Sequence, residues 1–380
     1  MKAARYYAAG DVRIEEVDVP TASDDHVLIA VEWCGICGSD LNEYIRGPWA
    51  IPSNEGRGPH PLTGEVLPIT MGHELSGRVV KAPPTSSFLP GQAVVVDPRF
   101  YCSSCGPCNG SATNCCQHIG FLGLSGGGGG LSEMIAVSPE MVHLLPDEVD
   151  LAAAALIEPL AVGWHAVSQC GVRNLKEVPV LVVGGGPVGV STIFVLKAWG
   201  ATMIIVSEVA ENRREFLGEI ADAVFDPTEV DLGLKCRELT GGKGVGVVFD
   251  CAGTQEGFKA GCDSLKSQGT YANLAIPKIP LTLPFAHFIS KELTFKAFLA
   301  YNENDFKETV TAFNAGKRYC VFIEPIGSDR HAGHFAGVER MITRRVHLED
   351  IVEKGFKELT ENAGNHIKIL ATARKENWVS

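Results

Sequence analysis

The segment PVLVVGGGPVGV, residues 179–190, constrains the fold of this chain more than any other. An apolar run of strand length turns on three glycines and passes straight into an apolar helix. Gly184, Gly186 and Gly189 stand as G-x-G-x-x-G. In that pattern the first glycine permits a tight turn, the second lets a pyrophosphate approach the backbone, and the third lets helix and strand pack closely. Pro187 and Val188 fill the first helical turn, whose free amides and dipole favour an anion. Glu208 closes the next apolar run, TMIIVSE, at the spacing of a ribose-binding carboxylate. It can accept the ribose hydroxyls of NAD and would repel the 2′-phosphate of NADP, so NAD is the expected cofactor. Arg213, five residues on, lies where it can line the adenosine side and soften that repulsion. The later runs GVGVVFDCAG, GTYANLAI and LTFKAFL continue the series. Strands alternating with helices predict a parallel, doubly wound sheet.

The region to about residue 155 reads differently. HVLIAVEWCGICG, LSGRVVKAP and QAVVVDP are short strands separated by Pro and Gly, as in a mainly β domain. Within it, CSSCGPCNGSATNCC places Cys102, Cys105, Cys108 and Cys116 with two, two and seven residues between them. That spacing lets one loop present four thiolates tetrahedrally, a closed shell suited to a structural Zn²⁺. Cys115 competes with Cys116 for the fourth position. Disulfides or a redox-sensing cluster are the other readings. No apolar run of signal-peptide length follows Met1 and Lys2, so a reducing compartment, the cytoplasm, is expected.

At 380 residues the chain has room for two domains with sizeable cores. A net charge of −12 opposes nucleic acid or an anionic membrane as partner, and no apolar stretch reaches the length of a membrane span. The segments NDFKETVTAFNAG and LEDIVEKGFKELTENAG read as helices and HIKILA as a closing strand. The glycine run 126–130 and the segment 328–337 read as mobile. His331 and His334, at H-x-x-H spacing in the extended segment 318–338, lack an evident third ligand and read as solvated loop residues.

Three motifs bring further donors from separate places: CGICGSD (34–40), GHE (72–74) and IEP (157–159). Distributed ligands numbering fewer than four suit a catalytic zinc, which keeps one position for substrate or water. Each motif is weak alone.

Together with the four-cysteine lobe, CGICGSDLNEY, LPITMGHELSGRVV, SGGGGGLSEM, IEPLAVGWHAV, VVGGGPVGV and EKGFKELTEN make nearly the whole chain resemble the zinc-dependent medium-chain dehydrogenases/reductases, in the branch of sorbitol and 2,3-butanediol dehydrogenases. The resemblance implies an α/β chain. A GroES-like, mainly β catalytic domain (1–155 with 304–380) carries both zinc sites, and a doubly wound Rossmann domain (156–303) binds the dinucleotide. It implies Cys37, His73 and Glu158 as ligands of the catalytic zinc, with Glu74 as an exchanging ligand. Asp40 would orient His73, Ser39 would receive the alcohol proton, and Lys368 would lie near the pyrophosphate. Asn42 stands where relatives commonly carry His, so the outer end of the proton relay departs from the pattern. Trp33, Tyr44, residues 47–70 and side chains near Leu299 would line the pocket. The implied function is interconversion of a secondary alcohol, a vicinal diol or polyol, and its ketone by hydride transfer with NAD(H), using two Zn²⁺ per chain in a homodimer or homotetramer. Alternatives on the same scaffold are a zinc Lewis-acid lyase or isomerase and a reductase of a specialised carbonyl.

Overall fold

The computed structural model describes residues 1–21, 25–315 and 335–374, arranged in two compact units. The first comprises Met1–Glu158, Asn302–Val310 and Ile342–Ser380, and the second Pro159–Tyr301 and Thr311–Met341. The expected division differs from this chiefly in Thr311–Met341, which the contacts group with the second unit. His331 and His334 lie outside the described residues.

The first unit is built on a seven-stranded sheet. Its path runs Val142–Leu144, Ala93–Val96, Glu74–Lys81, Val27–Gly35, Lys368–Thr372 and Ile342–His347, with Met134–Val137 also paired to Val27–Gly35. Val27–Gly35 is central because eight of its nine residues are buried, a run too apolar to leave either face in water. Gly35 pairs with Leu370 on one side and with Glu74 on the other, which brings the two ends of the unit's sequence together. Ile29, Val31, Leu75, Val94, Ile135 and Ile369 meet in one core.

The second unit holds a six-stranded, all-parallel sheet in the order Ala223–Phe225, Ile204–Ser207, Val180–Val183, Val245–Asp250, Leu265–Asn273, Thr294–Ala297. The order reverses between the strands Val180–Val183 and Val245–Asp250, the topological switch at which open α/β sheets bind ligands. The expected doubly wound Rossmann domain and GroES-like partner are therefore both present.

Three local expectations need correction. The glycine run is packed rather than mobile. A Cβ on Gly129 would lie 2.3 Å from the Met71 carbonyl oxygen, and one on Gly130 would lie 2.7 Å from Cys34 Sγ. Close backbone approach explains those glycines. LEDIVEKGFKELTENAG is not one α-helix: Leu348–Asp350 is 3₁₀, Ile351–Lys357 is a π-helix and Glu358–Glu361 is a short α-turn. Its widened turn surrounds Gly355, whose Cβ would meet Ile36 Cδ1 at 2.7 Å. Trp33 and Tyr44 are buried core residues rather than pocket walls, Trp33 beneath the Arg345 guanidinium and Tyr44 against Phe356.

No helix among the described residues is long and apolar enough to cross a membrane. The eleven described cysteines are all free thiols.

Candidate active site

Cys37 lies just beyond the end of the central strand, at the N-cap of the helix Gly38–Arg46. Its backbone N–H donates to Asp40 Oδ2 at 2.9 Å, so Asp40, three residues on, satisfies a free helix-end donor. The other oxygen of Asp40 faces His73 Nδ1 at 3.6 Å, and His73 Nε2 lies 3.2 Å from Ser39 Oγ. Both Asp40 and His73 are buried. His73 is aimed by Gly72, which takes φ +94°. A side chain there would run into Cys34 and Leu131.

Burial alone would drive the His73 imidazole down. Asp40, Cys37 and Glu158 outweigh it and hold the imidazole well above its ordinary value. Burial raises the Asp40 carboxyl, against the pull of His73. The site thus concentrates negative charge around one imidazole. Glu158 lies at the start of the helix Ile157–Gln169 and is buried.

Glu74 follows His73 and is fully buried. Its Oε1 accepts a hydrogen bond from Lys368 Nζ at 2.6 Å, and the same ammonium donates to the Ile36 carbonyl at 3.1 Å. Lys368 therefore stands beside these residues, with two of its three N–H donors taken by a buried carboxylate and a carbonyl, and not as an exposed cation for a pyrophosphate. Gly35 makes this possible, since a Cβ there would lie 2.0 Å from Glu74 Oε2.

These residues fit a cation. Asp40 Oδ1 and His73 Nδ1 are served only by each other at 3.6 Å, but Glu74 Oε2 is a buried polar atom without a hydrogen-bond partner, which is costly unless another charge completes the site. Thiolate, imidazole and carboxylate form a donor set that zinc accepts. Cys37, His73 and Glu158 do not close to the mutual 4.8 Å that the lobe cysteines reach, and among the described residues only the lobe does so.

In the lobe, Cys105 and Cys108 sulfurs are 3.4 Å apart, Cys105 and Cys116 3.8 Å, and Cys116 and Cys102 3.5 Å. Cys116 is buried and points inward, whereas Cys115 is exposed. Hydrogen bonds from the Ser104 side chain and nearby amides lower the Cys102 thiol to about 5. Desolvation and the neighbouring sulfurs push Cys108 up to about 12.

One buried group escaped the sequence reading. Glu43 accepts from the backbone N–H of Trp49 at 2.8 Å and of Ala50 at 2.5 Å, pinning the turn after the helix Gly38–Arg46. The available signal was an acidic residue three positions beyond Asp40, on the same helix face.

In the second unit, Gly184 takes φ +91° and Gly186 caps the helix Pro187–Ala198, with Pro187 in the first turn. Gly189 is indispensable to this turn: its Cβ would lie 1.9 Å from the Gly184 carbonyl oxygen. Glu208 Oε2 accepts from the Gly185 N–H at 2.6 Å and Oε1 from Ala210 at 2.8 Å. Arg213 Nη1 is 4.0 Å from Glu208 Oε2, and burial lowers its guanidinium against that carboxylate's pull. Gly189→Ala is expected to cost about 1–3 kcal/mol of stability and to weaken nicotinamide-dinucleotide binding about tenfold or more. Thermal unfolding and a fluorescence titration with NADH check this, and wild-type affinity would refute it.

The domain model of the alcohol dehydrogenase GroES-like domain matches residues 23–147, and that of the zinc-binding dehydrogenase domain matches 187–315. The chain is 37% identical to (R,R)-butanediol dehydrogenase of Neisseria gonorrhoeae over 97% of its own length and 99% of the relative's. It belongs to the zinc-dependent medium-chain dehydrogenases/reductases. This dehydrogenase is also 36% identical to (R,R)-butanediol dehydrogenase of Saccharomyces cerevisiae, over 98% of each chain. The crystal structure of 2R,3R-butanediol dehydrogenase from Bacillus subtilis superposes with a TM-score of 0.86 at 34% identity, covering 98% of this chain and 99% of that one. The enzyme is thus an alcohol/polyol oxidoreductase of the butanediol and polyol branch. These relatives lend no support to a lyase or isomerase.

Proposed function

We propose that this dehydrogenase interconverts a vicinal diol of the 2,3-butanediol type and its hydroxyketone with NAD(H), and that it holds two zinc ions. The observation that carries the reading is the half-buried Cys37 with the buried His73 and Glu158, Asp40 behind the imidazole and Ser39 beside it. A zinc ion bound there supplies Lewis acidity, making an alcohol easier to deprotonate at neutral pH. Asp40 keeps the imidazole oriented with Nε2 toward the centre. Ser39 Oγ is the hydroxyl placed to take the substrate proton outward. Cys102, Cys105, Cys108 and Cys116 would hold the second zinc.

On the nucleotide side, the free amides after Gly186 are placed for a pyrophosphate, and the Glu208 carboxylate beside the turn disfavours a 2′-phosphate. NAD supplies the hydride acceptor. Glu208 supports NAD over NADP, and Arg213 beside it lessens the margin. The free thiols support a reducing compartment, the cytoplasm.

The test combines metal content with NAD(H)- and NADP(H)-linked turnover on a panel of diols, polyols and simple secondary alcohols. Two zincs per chain and preferred oxidation of a vicinal diol with NAD are expected. Absence of nicotinamide turnover on every alcohol and ketone would sink the proposal.

Asn42 accepts from Arg46 at 3.4 Å, and an amide cannot carry a proton near neutral pH. Asn42→His is therefore expected to add an inflection near the imidazole range, about pH 6–7, to the pH–rate profile. An unchanged profile would place the relay's outer end elsewhere.

A homo-oligomer is supported by the second unit's edge strand Thr294–Ala297, around which Ile276, Ile279, Phe285, Ile289 and Phe295 are all exposed. A second copy pairing edge to edge would cover them. Light scattering is expected to give a dimer or tetramer, and Ile289→Glu to weaken it. A wild-type monomer at micromolar concentration would overturn this.

A further inference from the structure

The dinucleotide crevice lies where the second unit's sheet reverses its order, between Val180–Val183 and Val245–Asp250. Glu208, just past Ile204–Ser207, is the carboxylate assigned above to the adenosine ribose. The opposite side is left for the nicotinamide half. There the strand Val245–Asp250 ends on a second fully buried carboxylate, Asp250.

Asp250 Oδ1 accepts from the backbone N–H of Ala252 at 2.9 Å and of Gly253 at 3.0 Å. Its Oδ2 accepts from the Tyr271 hydroxyl at 2.8 Å. Tyr271 pairs in register with Val248 on the neighbouring strand, and Asp250, two residues on, shares that face of the sheet. The phenol ring is fully buried, stacked on Phe295 and edge-on to Phe258, in space that Gly261 leaves open. Burial and the neighbouring Asp250 push its hydroxyl far above the ordinary value, so it stays a donor. The Asp250 carbonyl in turn accepts from Leu274 at 2.9 Å and Ala275 at 3.2 Å, and the next amide, Cys251, donates to Val183. Ala252 lies against the glycine turn, since a Cβ on Gly184 would come within 3.0 Å of Ala252 Cβ. One residue thus ties the ends of three neighbouring strands to the first glycine of that turn. Burying a carboxyl group costs more than burying an apolar side chain. What Asp250 supplies is a fixed course for the backbone of the crevice wall.

We propose that Asp250, locked by Tyr271, is a positioning residue for the nicotinamide half of the dinucleotide. It holds the turn 251–253 and the segment 274–275 together as one wall of the crevice. The proposal rests on the dinucleotide site assigned above and deepens it.

The test uses Asp250→Ala, Asp250→Asn and Tyr271→Phe, each titrated with NADH by fluorescence and with AMP by calorimetry. AMP carries only the adenosine half, so a wall that serves the nicotinamide half leaves its binding untouched. Asp250→Ala is expected to weaken NADH about tenfold and Tyr271→Phe about fivefold, with AMP within about twofold of wild type in both. Asp250→Asn should stay close to wild type. Its amide oxygen can accept both backbone N–H groups, and its NH₂ can donate to the Tyr271 oxygen. Tyr271→Phe keeps the ring that packs against Phe258 and Phe295, so it carries the test if Asp250→Ala does not fold. Wild-type NADH affinity in Tyr271→Phe would overturn the proposal. So would equal weakening of NADH and AMP, or an Asp250→Asn variant as impaired as Asp250→Ala. Failure of the dinucleotide assignment itself would show separately, as a wild-type enzyme that binds neither ligand.

Discussion

Cys37→Ala is expected to fold, to carry one zinc in place of two, and to lose at least about 10³-fold in kcat. The magnitude follows from what is removed. Lewis-acid stabilisation of developing charge is worth several kcal/mol, and each 1.4 kcal/mol is a factor of ten. Folding should survive because one half of the helix's capping box, the Cys37 N–H to Asp40, uses the backbone and is kept when the thiol is removed. The Cys37 side chain is also only half-buried, so truncation leaves no large cavity in the core. Metal analysis beside steady-state kinetics decides the matter. A variant that keeps both zincs, or keeps its turnover, would remove Cys37 from the catalytic centre.

The lobe should respond in the opposite way, through stability before chemistry. Cys105→Ser is expected to release the other zinc and to destabilise the chain by roughly 4 kcal/mol or more, in the range where loss of a structural metal stands out from ordinary point substitutions. The reason lies in the sulfurs themselves. Four of them gather within 4.8 Å in a loop whose only regular elements are the four-residue helix Gly106–Asn109 and a single 3₁₀ turn. Such a loop buries too little apolar surface to hold crowded thiolates together, and a divalent cation removes their repulsion. Cys115→Ser, one residue from the cluster but exposed, should stay within about 0.5 kcal/mol of wild type. Calorimetry with zinc counting on the two variants makes the comparison. Equal melting temperatures would show that the lobe needs no metal.

What was legible in the sequence was local. The glycine turn, the strand and helix periodicities and the cysteine spacings are each written in a few consecutive residues, and a turn or a short metal loop is dictated at that range. What was not legible depends on register between distant segments. Lys368 meets Glu74 across 294 residues because the strand Lys368–Thr372 pairs beside Gly35, and nothing near either residue announces the partner. The basic residue was therefore sent to the wrong ligand. Trp33 and Tyr44 failed for a related reason: an aromatic near a metal motif reads as a pocket wall until the sheet and the segment bearing Phe356 close over it. The glycine run read as loose because five glycines suggest freedom, whereas Gly129 is small to let the Thr70 and Met71 backbone through and Gly130 to clear Cys34 Sγ.

The central strand Val27–Gly35 has a neighbour that is synthesised more than three hundred residues after it. During translation the parallel sheet of the second unit has all its strands available while the first unit still lacks Lys368–Thr372. The nucleotide fold can therefore form on the ribosome, whereas Glu74 must wait for its countercharge until translation is nearly complete. The nascent first unit thus carries an open flank of its sheet, with unpaired backbone groups along the central strand, until the last strand is added.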